Sequence, residues 1–455
     1  MRIFTDQAKG RFPVRRAAPP AAGAPRRAPA GKRPPRPGRS RGMALILVLS
    51  SIAVLTAVAV DFAYNTQVDT RLAANARDEL RAYYLARSAT NLSRLLLSFQ
   101  NQLDGQSTAA RSQLGDLANQ VPGLGALAGM TNIRLWDALP IESSAITGFI
   151  EATAGTSEKE EPPLPTLAPQ PGEAIPATGL SSFGSFDGGF IAHIEDEEAK
   201  VNLNKLDNPG ARGSIAGQQV LLLVGDPRWN FLFDEETSHR ERYTREDLLV
   251  RLRDWVDVDE VETSLNPANP MELFAAGFGD EKAPYTRYAQ RYEPKNARFD
   301  SLEEVYQVAG ITDRFMAAFG DRLTVFPDIN TRLNVNTSDP LQIYMLIQAA
   351  AQDPTNPMLQ NPLVIESIIE QIALVRMLGP MMAISVDQFV TILEAAGIAV
   401  RAEIKHNPPA NDFLGDKSET FKITAVGQAG SVTKKLVTVL RYDEGLGRLL
   451  YYQEE

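Results

Sequence analysis

Apolar and polar positions divide the chain into stretches of different period. Met43 to Val60, MALILVLSSIAVLTAVAV, is eighteen consecutive residues without a charge, with Ser50, Ser51 and Thr56 as its polar members. At about 1.5 Å per residue a helix of that length covers about 27 Å, enough for the hydrocarbon layer of a membrane. The pattern then runs through Asp61, Phe62, Ala63 and Tyr64 into a helical repeat. That repeat places Val68, Leu72, Ala76, Leu80, Tyr83, Tyr84, Leu92, Leu95, Leu96 and Phe99 on one stripe. No Pro or Gly interrupts residues 43–104. The expectation is one helix of roughly 60 residues, about 90 Å long, with its first third in lipid and the remainder packed on a soluble domain. A buried core helix is the other reading of the apolar third.

Residues 105–189 are irregular: a Gly/Ala-rich segment, a short apolar piece from Ile133 to Ile150, and a stretch with six prolines between Gly155 and Pro176 that reads as a loop. Alternation begins at Phe190 to Ile194, followed by an acidic turn, Glu195 to Glu198, and Ala199 to Leu203, which predicts a hairpin within 190–213. Over 214–410 the period becomes helical: Gly217–Val224, Arg245–Val256, Ser301–Ala309, Thr312–Phe319, Pro340–Gln352, Pro362–Leu378 and Val386–Ala396. Ser301 with Glu304 reads as a capping box. Over 411–455 strands return, Phe421–Ala425 and Lys435–Tyr442, joined through Gln428 to Ser431. Strands on both sides of a helical block predict an α+β fold in which an all-α domain is inserted into a small sheet that packs on the N-terminal helix (43–104).

Composition adds charge to this outline. With 455 residues, 44% of them apolar, the chain can build two or three domains. Residues 1–42 hold twelve basic side chains, one acid (Asp6) and eight prolines, a basic disordered leader. Its basic flank next to the apolar stretch places the N-terminus in the cytoplasm and the body on the other side of the membrane. A secretory signal peptide would instead end in a small-residue cleavage site and a boundary. Taken from totals of 46 and 56, the leader leaves 34 basic and 55 acidic groups after residue 42, a net charge of −21. Such a body argues against nucleic acid, whose phosphates are neutralised by Lys and Arg. Cysteine is absent, which removes disulfides, cysteine-ligated zinc and thiol nucleophiles. The three histidines, His193, His239 and His406, are too far apart in sequence to form a local ligand set, and His193 reads as a structural residue of the hairpin.

Asp254, Asp257, Asp259, Glu260 and Glu262 form the densest acidic group, at the end of a helix and into the following loop. Carboxylates this crowded repel unless a cation or bases intervene, and a hard divalent ion with oxygen ligands fits them. Calcium is the candidate in an extracytoplasmic setting, with Asp254, Asp257, Asp259 and Glu260 as its ligands. A solvated acidic helix end is the other reading, since the loop is no EF-hand. Glu304 to Ile311, with Gly310, could hold a DNA phosphate as a helix-hairpin-helix module does, but its neighbours are Thr312, Asp313 and Arg314 and the second Gly is missing, so it reads as a packing motif. No nucleophile elbow, phosphate-cradling glycine loop or His-x-x-x-His spacing is present, so no enzyme is expected.

The basic leader ending Arg39-Ser40-Arg41-Gly42, the apolar segment that starts at once with Met43, and its continuation as an amphipathic helix together resemble the class III signal of type IV pilins and type II secretion pseudopilins. The resemblance implies that prepilin peptidase cuts after Gly42 and methylates Met43. Most members have Glu at the fifth mature position, which is Leu47 here. The member that typically lacks it is the large minor pseudopilin, general secretion pathway protein K. That family is also similar in Tyr83-Tyr84-Leu85-Ala86, Val201 to Leu206, Asp254 to Asp259, Ser301 to Val305 with Gly310, Leu333 to Thr337, and Phe421 to Gly430. The resemblance implies a pilin-like sheet interrupted by a helical domain of helix-hairpin-helix (SAM-like) type. It also implies a single-pass inner-membrane protein with a periplasmic body, at the tip of a pseudopilus, where it initiates assembly and limits length. Its partners would be other minor pseudopilins, the major pseudopilin, prepilin peptidase and the inner-membrane secretion platform. The rival readings are a membrane-anchored helix-hairpin-helix DNA-binding protein of an uptake system and a metal-dependent hydrolase.

Overall fold

A computed structural model of the chain describes residues 41–105, 134–145, 188–234, 242–269, 272–288, 290–337, 339–377, 383–405, 413–442 and 447–455. The leader up to residue 40, the proline-rich stretch Gly155–Pro176, His239 and His406 lie outside these. The chain divides into two units, Met1–Asp69 and Thr70–Glu455.

Helix α1 (Arg41–Gly105) is one unbroken element, as the lack of Pro and Gly dictates. In the first unit its apolar side chains are exposed, and it contains a window of mean hydropathy 2.7, enough to cross a membrane. The hydroxyls within the apolar run donate to the helix itself, Ser50 and Ser51 both to the Leu47 carbonyl, at 3.0 and 2.8 Å. No polar group of these two serines therefore asks for water.

In the second unit the buried face of α1 is Ala82, Ala86, Ala89, Ser93 and Leu97, with Gln100 beyond. This is not the expected stripe, because Leu80, Tyr84, Leu95 and Phe99 are exposed. Close approach explains the difference. The helix lies on a five-stranded antiparallel sheet that runs from β1 (Ile141–Glu142) through β2 (Gly189–Asp196) to Thr420–Ala429, Val432–Arg441 and Arg448–Glu454, in that order. A Cβ on Gly427 of this sheet would lie 2.5 Å from the Ala86 amide nitrogen and collide with the Ala82 carbonyl. Helix and strand meet backbone to backbone there, so only small side chains fit. Phe190, Ala192 and Ile194 of β2 fill the interface alongside.

The expected hairpin at 190–203 does not form. Instead, β2 pairs with Thr420–Ala429, in register Asp196↔Phe421, and the chain after Asp196 turns away through a 3-10 turn, Glu197–Ala199. Buried charges decide the turn. Lys200 bridges Glu195 (2.8 Å) and Glu197 (2.7 Å), and the Glu198 carboxylate accepts the amides of Glu419 (3.0 Å) and Thr420 (3.1 Å). An acidic run that would suit an exposed turn is spent on stitching the entry and exit of the insertion together.

The insertion continues with β3 (Val201–Asn202), α2 (Ala211–Val224), α3 (Arg245–Val256), β4 (Val261–Leu265), β5 (Phe274–Asp280), α4 (Asp313–Phe319), β6 (Leu323–Thr324), β7 (Leu333–Asn334), α5 (Pro340–Ala350), α6 (Pro362–Met377), α7 (Val386–Ala395) and β8 (Leu414–Gly415). Expected to be all α, it also carries the antiparallel hairpin β4–β5 and two parallel bridges, β3 with β6 and β7 with β8. Its apolar side chains form two cores. One joins Val201, Leu203 and Leu206 to Leu252, Trp255, Phe299 and Phe319, so packing assigns residues from 201 onward to the insertion. The other joins Val335, Ile347, Ile368, Phe389 and Leu414.

Each core is closed by the same device. Asn202 ends β3 and Asn204 follows it, and the Asn204 side chain donates to Phe299 and Val325 carbonyls (3.0 and 2.8 Å) and accepts the Phe299 amide (2.8 Å). Asn336, two residues after Asn334, donates to the Ile384 carbonyl (2.9 Å) and accepts its amide (2.8 Å). In each case an Asn two residues past the end residue of a short strand, Asn204 in the 3-10 turn Leu203–Asp207 and Asn336 in the turn after β7, sets its amide against neighbouring backbone, which satisfies buried groups that would otherwise be costly. The capping box expected at Ser301 is absent. Leu302–Gln307 is 3-10, Ser301 makes no cap bond, and the Glu304 carboxylate accepts from Lys295 (2.9 Å) instead.

The sheet is completed by β9 (Thr420–Ala429), β10 (Val432–Arg441) and β11 (Arg448–Glu454). Gly430, with φ +57, supplies the left-handed residue of the two-residue turn between β9 and β10.

Candidate metal centre

Helix α3 is held at its start by a true capping box, Thr244 with Asp247, and directs Leu248, Leu249, Leu252, Trp255 and Val256 into the first core. That orientation leaves Asp254, and Asp257 just past the helix end, facing the root of the β4–β5 hairpin. The Thr263 amide of β4 donates to Asp254 Oδ1 (2.9 Å). Because β4 and β5 are antiparallel, Val261 lies opposite Asp280, and Glu281 arrives beside both aspartates. Ligand oxygens of Asp254, Asp257 and Glu281 all lie within 4.8 Å of one another.

The three carboxylates are buried, at 3%, 6% and 2% exposure. Burial pushes Asp254 up to about 7, Asp257 to about 6 and Glu281 to about 8, and repulsion from neighbouring carboxylates adds to each rise, from Asp257 and Glu262 on Asp254, from Asp259 and Asp207 on Asp257, and from Asp254, Asp257 and Asp259 on Glu281. Arg253, 3.2 Å from Asp257 Oδ2, is the one cation paired with the trio in an ion pair among the described residues. Among the described residues, Asp257 Oδ1 and Glu281 Oε1 have no hydrogen-bond partner. The same holds for the buried Oδ1 of Asn296, whose Nδ2 donates to Glu281 Oε2 (3.2 Å) and to the Asp259 carbonyl. Asn296 holds φ at +48, uncommon for a side chain other than glycine. Orphaned oxygens of this kind, three of them on hard donors, fit a divalent cation with oxygen ligands.

Two expected ligands stand apart from this trio. Asp259 Oδ1 accepts the Val261 amide (2.8 Å), and Glu260, largely exposed, pairs with Lys282 (3.3 Å). Glu281 and Asn296 were not singled out by the sequence, because each reaches the trio only through strand pairing and a left-handed residue that no local spacing announces. The adjacent acids Asp280-Glu281 were the available signal. Gly42, Met43 and Leu47 lie on the first turns of α1, with Met43 and Leu47 exposed at 67% and 64%. His193 is half-buried on β2, and burial holds its imidazole below the usual value.

No family model and no curated protein matches the chain. Among solved structures, the crystal structure of the GspK–GspI–GspJ complex from the enterotoxigenic Escherichia coli type 2 secretion system contains a similar chain. It is 17% identical over 61% of this chain and 84% of that one, with a TM-score of 0.40. The likeness is distant.

Proposed function

We propose that the chain is a minor pseudopilin of a type II secretion system, anchored in the inner membrane by α1 and placed once at the tip of a periplasmic pseudopilus. The observation that carries the reading is a single helix, apolar and uncharged in its first part, whose second part backs an antiparallel sheet interrupted by a helical insertion between two adjacent strands. Resemblance of the leader and of Leu47 to the family's pattern adds to it. Partners then follow from what α1 leaves open: Leu72, Leu80, Tyr84, Leu95 and Phe99 are exposed at 42–66%, a face suited to the helices of other minor pseudopilins and the major pseudopilin. Prepilin peptidase and the inner-membrane platform would act on the N-terminal part. The role is structural rather than enzymatic, and the acidic centre takes a calcium ion held by Asp254, Asp257 and Glu281 that ties α3 to the β4–β5 hairpin. A DNA receptor is disfavoured by the charge of −21 after residue 42.

The decisive test is mass spectrometry of the mature N-terminus in a host with the peptidase. A chain starting at methylated Met43 is expected, and Gly42→Trp is expected to leave full-length precursor in the membrane. Intact Met1 in the wild type removes the proposal. A second test uses Leu47. In a pilin-like bundle the Glu at the fifth mature position pairs with a neighbour's N-terminal amine, and a buried unpaired charge costs several kcal/mol. Leu47 cannot accept that amine, so the subunit caps an end. Leu47→Glu is expected to leave the melting temperature unchanged and alter filament number or length, and immunogold labelling is expected at tips. Label along the shafts would make this an ordinary repeating subunit.

A further inference from the structure

The end of the β4–β5 hairpin that meets the buried carboxylate trio carries a second feature, and this one is exposed. Phe278 of β5 is fully exposed, Val258 just before β4 is 81% exposed, and Val261 of β4 is 45% exposed. All three lie at the end of the hairpin where β4 begins and β5 finishes. A bulge sits there: the register shifts between Val261 and Thr263, so that residues 277–279 lie against Glu262. Bulges of this kind re-aim a side chain. Phe278 is flanked by Gly277 and Gly279, and a Cβ at either position would collide with Glu262, at its carbonyl or its carboxylate. The sequence Gly-Phe-Gly therefore builds a bulge that turns one aromatic ring to solvent, against the ordinary tendency to bury it.

The ring has acidic company. Asp259, Glu260, Glu262 and Asp280 are exposed on the same end, while Lys282, the cation nearby, is engaged by Glu260 and Glu293, both at 3.3 Å. An apolar centre within a ring of one charge is the anatomy of an anchor with a polar rim. Like charge opposes a second copy of this body, which is itself at −21, and opposes an anionic lipid surface. We infer that the β4–β5 hairpin is a docking arm for a protein whose surface offers an apolar pocket, filled by Phe278, with Lys and Arg around its rim.

The test is photo-crosslinking in the native host from the full-length chain with p-benzoylphenylalanine at Val258, and at Leu363 of α6, also exposed, as the control position. A discrete protein adduct is expected at 258 and not at 363, attached to a partner segment that contains Lys or Arg. Phe278→Ser is expected to reduce it at least tenfold, as is the pair Glu260→Lys and Glu262→Lys, while the melting temperature stays that of the parent. An adduct to a second copy or to lipid, an adduct indifferent to Phe278 or to charge reversal, or no adduct above the control overturns the inference.

Discussion

Chelation of divalent cations is expected to lower the melting temperature of the detergent-solubilised chain by roughly 5–10 °C at about pH 8, and to change it little at about pH 5. An ion at a hundredfold excess over its Kd adds about 2.7 kcal/mol, which for a domain of about 200 residues is a shift of that size. The pH dependence follows from the trio. Asp254, Asp257 and Glu281 have folded-state values of about 7, 6 and 8, all above their ordinary 3.8, 3.8 and 4.5. A raised carboxyl holds its proton in the folded state while the unfolded chain has released it. Stability of the chelated protein therefore falls as pH rises from about 4 towards 8 and levels off above the folded values. Glu198, raised by burial to about 8, acts in the same sense. His193, held below 6.5 by burial, acts in the opposite sense below that pH and offsets part of the fall. Calcium binds the ionised set, so its contribution grows over the same interval, and an excess of the ion flattens the decline. Thermal melts followed by circular dichroism across pH 5–8, with calcium and with chelator, check this. Glu281→Gln separates the parts: it raises the melting temperature of the chelated protein at pH 8 and removes the calcium response. Melts that are alike with and without chelator at pH 8 would leave the trio as a metal-free acidic cluster.

The second large effect lies at the contact of helix and sheet. Gly427→Val is expected to destabilise the second unit by about 3 kcal/mol, the upper part of the range for an overpacked core position. The added Cβ meets the backbone of Ala82 and Ala86 rather than a side chain that can rotate away. Relief requires lifting α1 from β9, which uncovers Ala89, Leu97, Phe190 and Ile423. Urea unfolding read by circular dichroism is the measurement, with Gly320→Val as the contrast, since among the described residues a Cβ there has only the flexible end of Met316 within 4 Å, at 3.7 Å. Equal losses for the two variants would mean that the contact is not close.

The α1 helix, the limits of α3 and α6, and the long strands β9 and β10 were legible in the sequence, because each is a run of one period bounded by a cap, a proline or a turn glycine. What failed was local chemistry overridden by tertiary partners. Glu195 to Glu198 reads as a solvated turn until Lys200 and the amides of Glu419 and Thr420 are brought to it. Glu304 reads as a capping residue until Lys295 takes its carboxylate. The stripe on α1 was assigned to the large apolar residues, while the sheet selects the alanines. In the centre, Asp254 and Asp257 were legible as neighbours on one helix end, whereas Glu281 depends on the pairing of β4 with β5.

The position of the insertion also sets an order of events as the chain folds. Asp196 and Ser418, joined by a 2.6 Å hydrogen bond, are 222 residues apart in sequence. Closing a flexible loop of that length is entropically unfavourable, whereas an insertion that has already folded delivers its two ends side by side. The two asparagine-locked cores are therefore expected to form before β2 meets β9; apart from β9, the strand paired with β2 among the described residues is the two-residue β1. A chain interrupted anywhere before residue 420 keeps an open strand edge and an uncovered alanine face on α1, both marks that proteolysis and quality control act upon. The final strands thus close the body: without β9 the edge of β2 and the alanine face of α1 both stay uncovered.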